Sequence, residues 1–384
     1  MADGGDAFSA RTVSSIEEIG RDRWDRLANP DPNNFNPFVA YDFLHALEAS
    51  KSVGGESGWL PGHIALEQSG ALTGVAPLYA KAHSQGEYVF DHHWADAYER
   101  AGGRYYPKFV AAVPFTPVPG PRLLAADSDN RAALAAAAVE VARRTGASSV
   151  HANFLRVEDQ DAFLLAGALP RTGVQYHWFN RGFGSFDDFL STLASRKRKA
   201  IRRERREAVE AGLVIKRLQG DAIEERHWDA MWAFYQDTGS RKWGRPYLTR
   251  SFFRLIGESM ADRCLLIFAE RNDAPVAGAL NFIGGDALYG RYWGCTEDYP
   301  FLHFELCYHQ AVEYAIAHGL SRVEAGAQGE HKIARGYEPV VTLSAHWIAD
   351  PGFRTAIERY LESERAQTGT EIAALAAMTP FRKG

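Results

Sequence analysis

The alternation of apolar and polar positions in the second half of the chain predicts a hairpin, a strand, a helix and a final strand. Apolar runs at residues 264–270 and 276–283 flank the turn-forming stretch Arg-Asn-Asp-Ala-Pro, which predicts an antiparallel hairpin, and residues 287–293 predict a third strand. Apolar residues at helical spacing over 304–316 predict a helix that Gly319 ends, and residues 321–325 predict the last strand.

The first half repeats this order. Residues 63–67 and 73–79 read as strands, and the alanine-rich residues 132–144 predict a helix ended by Gly146 and followed by a strand at 148–153. A Trp and then a Tyr-Pro pair also precede the late helix of each half, at Trp94 with Tyr106-Pro107 and at Trp293 with Tyr299-Pro300. We therefore interpret the chain as a tandem duplication, with two separate mixed α/β domains that share an order by chance as the alternative.

Chain length agrees with two domains, since 384 residues exceed what one hydrophobic core usually serves. The Asn-Arg-Gly-Phe-Gly-Ser stretch at 180–185 interrupts the pattern, so we predict domains at 1–180 and 181–384. The second would contain a basic helix at about 186–211 and a C-terminal helical tail. The expected fold class is α/β, with mixed sheets of the α+β kind.

Composition is that of an ordinary globular protein, with 46% hydrophobic and 24% charged residues and a net charge of -5. The N-terminus lacks a secretion signal and no apolar run reaches membrane-spanning length, so we expect a cytoplasmic protein without a membrane span. Three cysteines without CxxC spacing read as buried thiols, and no metal site is indicated. The oligomeric state stays open.

The basic helix carries a dense run of cations between residues 196 and 207, interrupted by two glutamates. Helical spacing places these cations in a broad stripe, which suits phosphates, because arginine forks match phosphate oxygens. A solvated helix face is the alternative. The polyanion-binding candidates are Arg196, Arg198, Lys199, Arg202 and Arg205.

Residues 324–332, Glu-Ala-Gly-Ala-Gln-Gly-Glu-His-Lys, gather several polar groups where the last strand ends in a loop, the usual place for a functional site. Glu330 and His331 are candidates for proton transfer, and Lys332 for binding a carboxylate or neutralising an oxyanion. Glu324 within the strand needs a partner or a cleft, and we expect Arg291 and Trp293 on the preceding strand to meet it.

Each half of the chain also contains candidate substrate-binding residues. The substrate-binding candidates of the second half are Arg291, Trp293, Glu305, Tyr308, Glu324 and Gln328. Those of the first half are Lys81, His83, Glu87, Asp91, Tyr106 and Lys108, which gather polar groups among aromatic residues as a surface for a polar acceptor would. His92 and His93 would point apart in an extended segment and make a poor metal pair.

Three segments, at 81–91, 195–206 and 324–332, resemble the FemAB-like proteins, known as peptidoglycan biosynthesis or recognition proteins and as N-acyltransferases. The resemblance covers about residues 36–347 and includes His303-Phe304-Glu305. It implies two tandem acetyltransferase-like (GNAT) domains. It also implies transfer of an acyl or aminoacyl group to an amine of a small molecule or peptide, such as a cell-wall precursor.

The resemblance leaves two acyl donors open, aminoacyl-tRNA and acyl-CoA, with no tightly bound cofactor. A CoA-dependent enzyme has a glycine-spaced phosphate loop after the strand, whereas residues 294–302 here contain one glycine and two acids, which disfavours CoA. The main hypothesis is thus an aminoacyl or acyl transferase with tRNA as an implied partner. The alternatives are a non-catalytic protein that binds peptide, peptidoglycan precursor or RNA, and an acyl-CoA-dependent N-acetyltransferase.

Overall fold

The computed structural model describes residues 8–242, 246–326 and 329–382, without the side chains of 239–242. Its strands are β1 Ser9–Val13, β2 Trp59–Pro61, β3 His63–Gln68, β4 Ala71–Ala76, β5 Tyr79–Lys81, β6 Lys108–Ala111, β7 Leu124–Ala125, β8 Ser149–Leu155, β9 Leu169–Phe179, β10 Val214–Gln219, β11 Cys264–Arg271, β12 Ala274–Ile283, β13 Ala287–Cys295, β14 Arg322–Glu324 and β15 Glu338–Ile348.

The α-helices are α1 Arg21–Ala28, α2 Tyr41–Ala49, α3 His92–Arg100, α4 Ser128–Thr145, α5 Val157–Leu165, α6 Phe186–Thr192, α7 Ser195–Val209, α8 Glu225–Lys242, α9 Arg250–Met260, α10 Leu302–Phe304, α11 Gln310–Ala317 and α12 Pro351–Ala377. A π-helical turn, Glu305–His309, joins α10 to α11, and a 3-10 helix, Glu330–Arg335, follows β14.

The contacts divide the chain into two compact units. Unit 1 comprises residues 1–30, 38–173 and 341–370, and unit 2 comprises 31–37, 174–340 and 371–384. Both units therefore contain segments from distant parts of the sequence, whereas the sequence-based division was a single cut after residue 180.

Unit 1 contains two sheets. One is antiparallel with the order β1-β3-β4-β7, and the other has the order β15-β8-β6-β5-β2 with β6 and β8 parallel. Helix α4 packs its small apolar face, including Leu134 and Ala138, into the core of this unit. The Asp127 side chain caps the start of α4, and Gly146 ends it in the left-handed conformation that favours glycine.

Unit 2 is built on the antiparallel order β10-β11-β12-β13, after which β14 joins β13 in parallel and the last part of β9 pairs with β14. The predicted hairpin is confirmed as β11 and β12. Its turn residues Asn272 and Asp273 have φ of 52° and 59°, which these short polar residues tolerate.

Strands β13 and β14 pair over a short stretch only, residues 287–289 with 322–324, and then part. Strand β13 continues to Cys295, whereas β14 ends at Glu324 and the next described element is the 3-10 helix Glu330–Arg335. Opposite Leu280 and Asn281, β13 contains a bulge in which Arg291 is the extra residue. The predicted acyl-transfer segment lies at this parting.

The long basic helix expected at 186–211 is wrong as a continuous element, because α6 and α7 are separated at Leu193 and Ala194. Leu193 is extended, with ψ of 152°, and forms a β-bridge with Phe381. The Ala194 N–H donates to the Pro380 carbonyl at 2.9 Å. The C-terminal segment therefore holds this point of the backbone out of helical geometry.

One expectation for the first half is also wrong. The run at 73–79 forms two strands in different sheets, β4 and β5, separated by Pro77, which lacks the N–H that a central strand would use. Trp94 lies on α3 with the adjacent His92 and His93, so these two histidines are helical, whereas Trp293 lies on β13.

Candidate active site

Glu324 ends β14 and is buried, at 4% exposure. Arg322 Nε donates to its Oε1 at 2.9 Å, and its Oε2 lies 3.6 Å from Nε2 of His177 on β9. Burial raises the pKa of Glu324 to about 7 despite the attraction of Arg322. Burial disfavours the charged form of His177 as well, which here lowers the pKa to about 3, so this imidazole is neutral beside the carboxyl group.

The expected partners of Glu324 are therefore corrected. Arg322, from the same strand, makes the direct contact, whereas Arg291 acts on the Glu324 pKa through its charge alone. The reason is the bulge at Arg291, which breaks the alternation that would have placed Arg291 and Trp293 on one face. Trp293 instead packs against His303, with ring centroids 5.1 Å apart.

The 3-10 helix Glu330–Arg335 sends its three candidate side chains in different directions, as expected for three residues per turn. Glu330 is exposed, His331 is exposed but contacts aromatic rings, and Lys332 is buried at 1% exposure. The three consecutive residues therefore do not face one point, and only some of them can act on the same reacting atoms.

His331 is the best placed of the three for proton transfer. Its Nε2 lies 2.9 Å from the hydroxyl of Tyr308, and its ring lies 5.6 Å from that of Phe304. Burial, with repulsion from Arg335 and Lys332, lowers the pKa of His331, so the imidazole is neutral at pH 7. A Cβ at Gly329, where φ is 115°, would come within 2.5 Å of the His331 ring, so this approach requires glycine.

Lys332 points inward and donates to the Gly326 carbonyl at 2.9 Å. Burial lowers its pKa to about 8, and repulsion from Arg291 acts in the same direction. An ammonium has three donors, and Gly326 uses one of them. The side chain thus holds the backbone at Gly326 and places a titratable cation beside the parting of the strands.

Sequence reasoning missed a buried ion pair that supports this helix. Arg335 donates to both Glu204 oxygens, at 2.8 and 3.1 Å, and to the His331 carbonyl at 2.8 Å, and its guanidinium lies 3.5 Å from the Phe304 ring centroid. Burial favours a protonated Glu204, but hydrogen bonds from His309 and Arg335 outweigh it and lower its pKa. The available signal was the position of Glu204 on the face of α7 that also carries the buried Ile201.

The cations of α7 differ in what they contact. Arg205 turns inward and binds Glu305 and Glu313, with Nη2 3.0 Å from each carboxylate, so the binding candidate Glu305 is buried in this ion pair. Pairs within the helix or with the preceding α6 engage three further arginines, as Arg202–Asp187, Arg203–Glu207 and Arg206–Glu210. Gln328, the remaining candidate of this region, lies outside the described residues.

The candidates of unit 1 come together as a buried network. Lys108 Nζ donates to Ser84 Oγ at 2.8 Å and to Glu87 at 2.9 Å, and it also binds Asp91, which accepts a further bond of 2.6 Å from Tyr105. Burial raises the pKa of Glu87 to about 7, whereas the Lys108 charge holds Asp91 ionised. The network is enclosed, whereas an open recognition surface was expected.

Lys81 continues this network on the neighbouring strand, in register with Lys108. Its ammonium lies 3.7 Å from the centroid of the Trp59 ring and 3.5 Å from His83 Nδ1. Burial lowers the pKa of Lys81 to about 7, and the charge of Lys108 contributes. Tyr106 closes the group through its 2.8 Å hydrogen bond with Ser84.

Residues 15–383 match the FemAB-like family, described as peptidoglycan biosynthesis/recognition, and the chain belongs to this family. The predicted resemblance is thereby confirmed. At the level of the family, this membership supports a peptidoglycan-related acyl or aminoacyl transferase. No curated protein matches the chain significantly in sequence.

Solved structures show the same fold at low identity. FemX is 13% identical with a TM-score of 0.54, over 88% of this chain and 98% of FemX. The C-terminal domain of a protein from Agrobacterium fabrum, assigned as a lysylphosphatidylglycerol synthetase, is 9% identical with a TM-score of 0.52, over 89% of this chain and 95% of that domain. These likenesses show the mixed α/β fold, and the division into tandem GNAT domains stays a prediction.

Every helix in the part of the chain that the structure describes is too short or too polar to cross a bilayer.

Proposed function

We propose that the chain transfers an acyl or aminoacyl group to an amine where β13 and β14 part. The observation that carries this proposal is the His331–Tyr308 pair, an accessible neutral imidazole hydrogen-bonded to a hydroxyl at 2.9 Å. Family membership in a peptidoglycan-related group supports it from an independent direction.

The chemistry needs a proton acceptor and a nearby positive charge. The amine nitrogen attacks the acyl carbon, the bond from that carbon to the donor oxygen breaks, and an amide forms. His331 takes the proton that the nitrogen loses and returns it to the leaving oxygen, with Tyr308 orienting the imidazole. Lys332, cationic below its pKa of about 8, supplies positive charge near the developing oxyanion.

Aminoacyl-tRNA is the donor that we favour over acyl-CoA. The loop after β13 carries Glu297, whose carboxylate contacts Arg271 at 3.2 Å, and Asp298 beside it, so two acids lie in the loop to which the resemblance would assign a CoA pyrophosphate. Helix α7 offers exposed cations instead, among them Arg196, Lys197 and Lys199. A charged-tRNA donor would also require the cytoplasmic location expected from the sequence.

The family and the chemistry support one class of acceptor. A peptide or cell-wall precursor with a free amino group is the acceptor that a peptidoglycan-related transferase would use. The structural likeness to a domain assigned as a lysylphosphatidylglycerol synthetase is compatible with an aminoacyl donor, and it shows the fold alone.

Two donor pools distinguish the alternatives. The protein is incubated with charged tRNA or with acyl-CoA, each with amine-bearing cell-wall precursor peptides, and a new amide is sought by mass spectrometry. We expect product from charged tRNA, and a reduction by about 10²–10⁴-fold in His331→Ala. The matched control is His92→Ala, which removes an exposed histidine from unit 1.

Each contrary result identifies an alternative. Product from acyl-CoA alone would replace the tRNA donor with a conventional N-acetyltransferase reaction. Binding of the precursor peptide without product from either pool would favour the non-catalytic binding protein. Equal turnover in His331→Ala and His92→Ala would remove His331 from the mechanism.

A further inference from the structure

An open pocket of about 430 Å³ lies between the start of α7 and the 3-10 helix Glu330–Arg335. Its walls contain three cationic side chains and one carboxylate, so its local charge is positive in a chain whose net charge is -5. The lining residues are Arg196, Lys197, Ala200, Ile201, Glu204, Ala334 and Arg335.

The cations at the mouth of this pocket differ from the other cations of α7. Within the part of the chain that the structure describes, Arg196 and Lys197 are exposed and have no carboxylate partner. The same is true of the neighbouring Lys199. The arginines from 202 onward are instead paired with carboxylates. The unneutralised charge of the helix is therefore concentrated at its first two turns, beside the pocket.

This placement opposes what stabilises a helix. The N-terminal end of a helix carries partial positive charge, and cations there cost free energy, whereas α7 has no acidic residue in its first turn. A local rule broken without a compensating contact is typical of a functional position. A bound anion would supply the missing compensation for both the helix end and the side chains.

We propose that this pocket binds a phosphate group through Arg196 and Lys197. Arginine and lysine are the side chains that bind phosphate oxygens, and the positive helix end favours the same charge. The inference rests on the proposed function in one respect, since the proposed polynucleotide donor would supply such a phosphate. A free phosphate or diphosphate would present the same chemical group.

The pocket also shares a wall with the candidate active site. Arg335 lines the pocket, and its Nη1 holds the His331 carbonyl at 2.8 Å. A phosphate in the pocket would thus lie one side chain away from the helix that carries the imidazole. The site would fix the position of a phosphate-bearing substrate relative to the reacting group.

The test compares the wild type with R196Q/K197Q and with the matched control R203Q/R206Q, which removes two cations paired within the same helix. One arm measures a short fluorescein-labelled RNA hairpin by anisotropy over a range of salt concentrations. The other measures inorganic pyrophosphate by calorimetry. We expect R196Q/K197Q to weaken binding and, for RNA, to reduce the slope of log affinity against log salt by about 2, and the control to bind as the wild type does.

Loss confined to the RNA arm supports the pocket with a polynucleotide phosphate, and loss in the pyrophosphate arm supports it with a free one. Equal affinity of both double variants for both probes overturns the proposal. His331→Ala should bind both probes as the wild type does, so a failure of the transfer chemistry is separable from a failure of the pocket.

Discussion

Glu204 on α7 and Arg335 at the end of the 3-10 helix form a two-point ion pair, with N–O distances of 2.8 and 3.1 Å. Arg335 is 7% exposed, so the pair is largely shielded from water. Because Arg335 also holds the His331 carbonyl, this contact fixes the helix that carries the candidate base. We therefore regard Glu204 and Arg335 as positioning residues.

Arg335→Lys should lower kcat of the transfer reaction about 10–100-fold with little change in KM. Lysine keeps the charge but cannot hold both Glu204 oxygens and the His331 carbonyl, and small displacements of a reacting group cost this much. The matched control is Glu207→Gln, which breaks an exposed pair of the same helix with Arg203. A purely structural role would instead give lower stability with unchanged kcat for the folded fraction.

The strand and helix order of unit 2 could be predicted because periodicity and turn residues are local properties, as at Asn272 and Asp273. The inward orientation of the Glu204 and Arg205 side chains could not be predicted, because it depends on how α7 is rotated against the elements that it packs on. Arg205 binds Glu305, which lies 100 positions later in the sequence, and no local pattern indicates so distant a partner.

The bulge at Arg291 limited the prediction of the site in another way. A period-two strand pattern contains no signal for one extra residue, so the partner of Glu324 was placed on the wrong strand. The end of the last strand at Glu324 agrees with the sequence-based expectation, since a glycine-rich polar stretch after an apolar run is visible in the sequence.

The transfer reaction should have a bell-shaped pH dependence of kcat/KM. Its acidic limb should lie below pH 6.5, since burial lowers the pKa of His331 and activity needs the neutral imidazole. Its alkaline limb should lie near pH 8, where Lys332 loses its charge. Lys332→Met should reduce the rate and remove the alkaline limb while the acidic limb remains. An alkaline limb unchanged in Lys332→Met would assign that pKa to another group.

Lys108→Met should destabilise the protein by about 3–5 kcal/mol, since it leaves Glu87 and Asp91 buried without their cation. The control is Lys51→Met, a substitution at an exposed lysine, which should stay within about 0.5 kcal/mol. Urea unfolding measures both. A cost below about 1 kcal/mol for Lys108→Met would show that the two carboxyl groups do not need this ammonium.

Glu324→Gln should change how stability depends on pH. Burial raises the pKa of Glu324 from 4.5 to about 7, so the folded state binds its proton more tightly than the unfolded state does. The contribution of this group to the free energy of unfolding is therefore fully present below pH 4.5 and is lost as the pH rises through about 7. The variant has no such titration, and its amide oxygen can still accept from Arg322.

We expect its free energy of unfolding to match that of the wild type near pH 4.5 and to exceed it at pH 8, as measured by urea unfolding at both pH values. Glu99→Gln, at an exposed position, should follow the wild type at both pH values. A Glu324→Gln variant less stable than the wild type at pH 8 would show that the ionised carboxylate is held by Arg322 strongly enough to outweigh its burial.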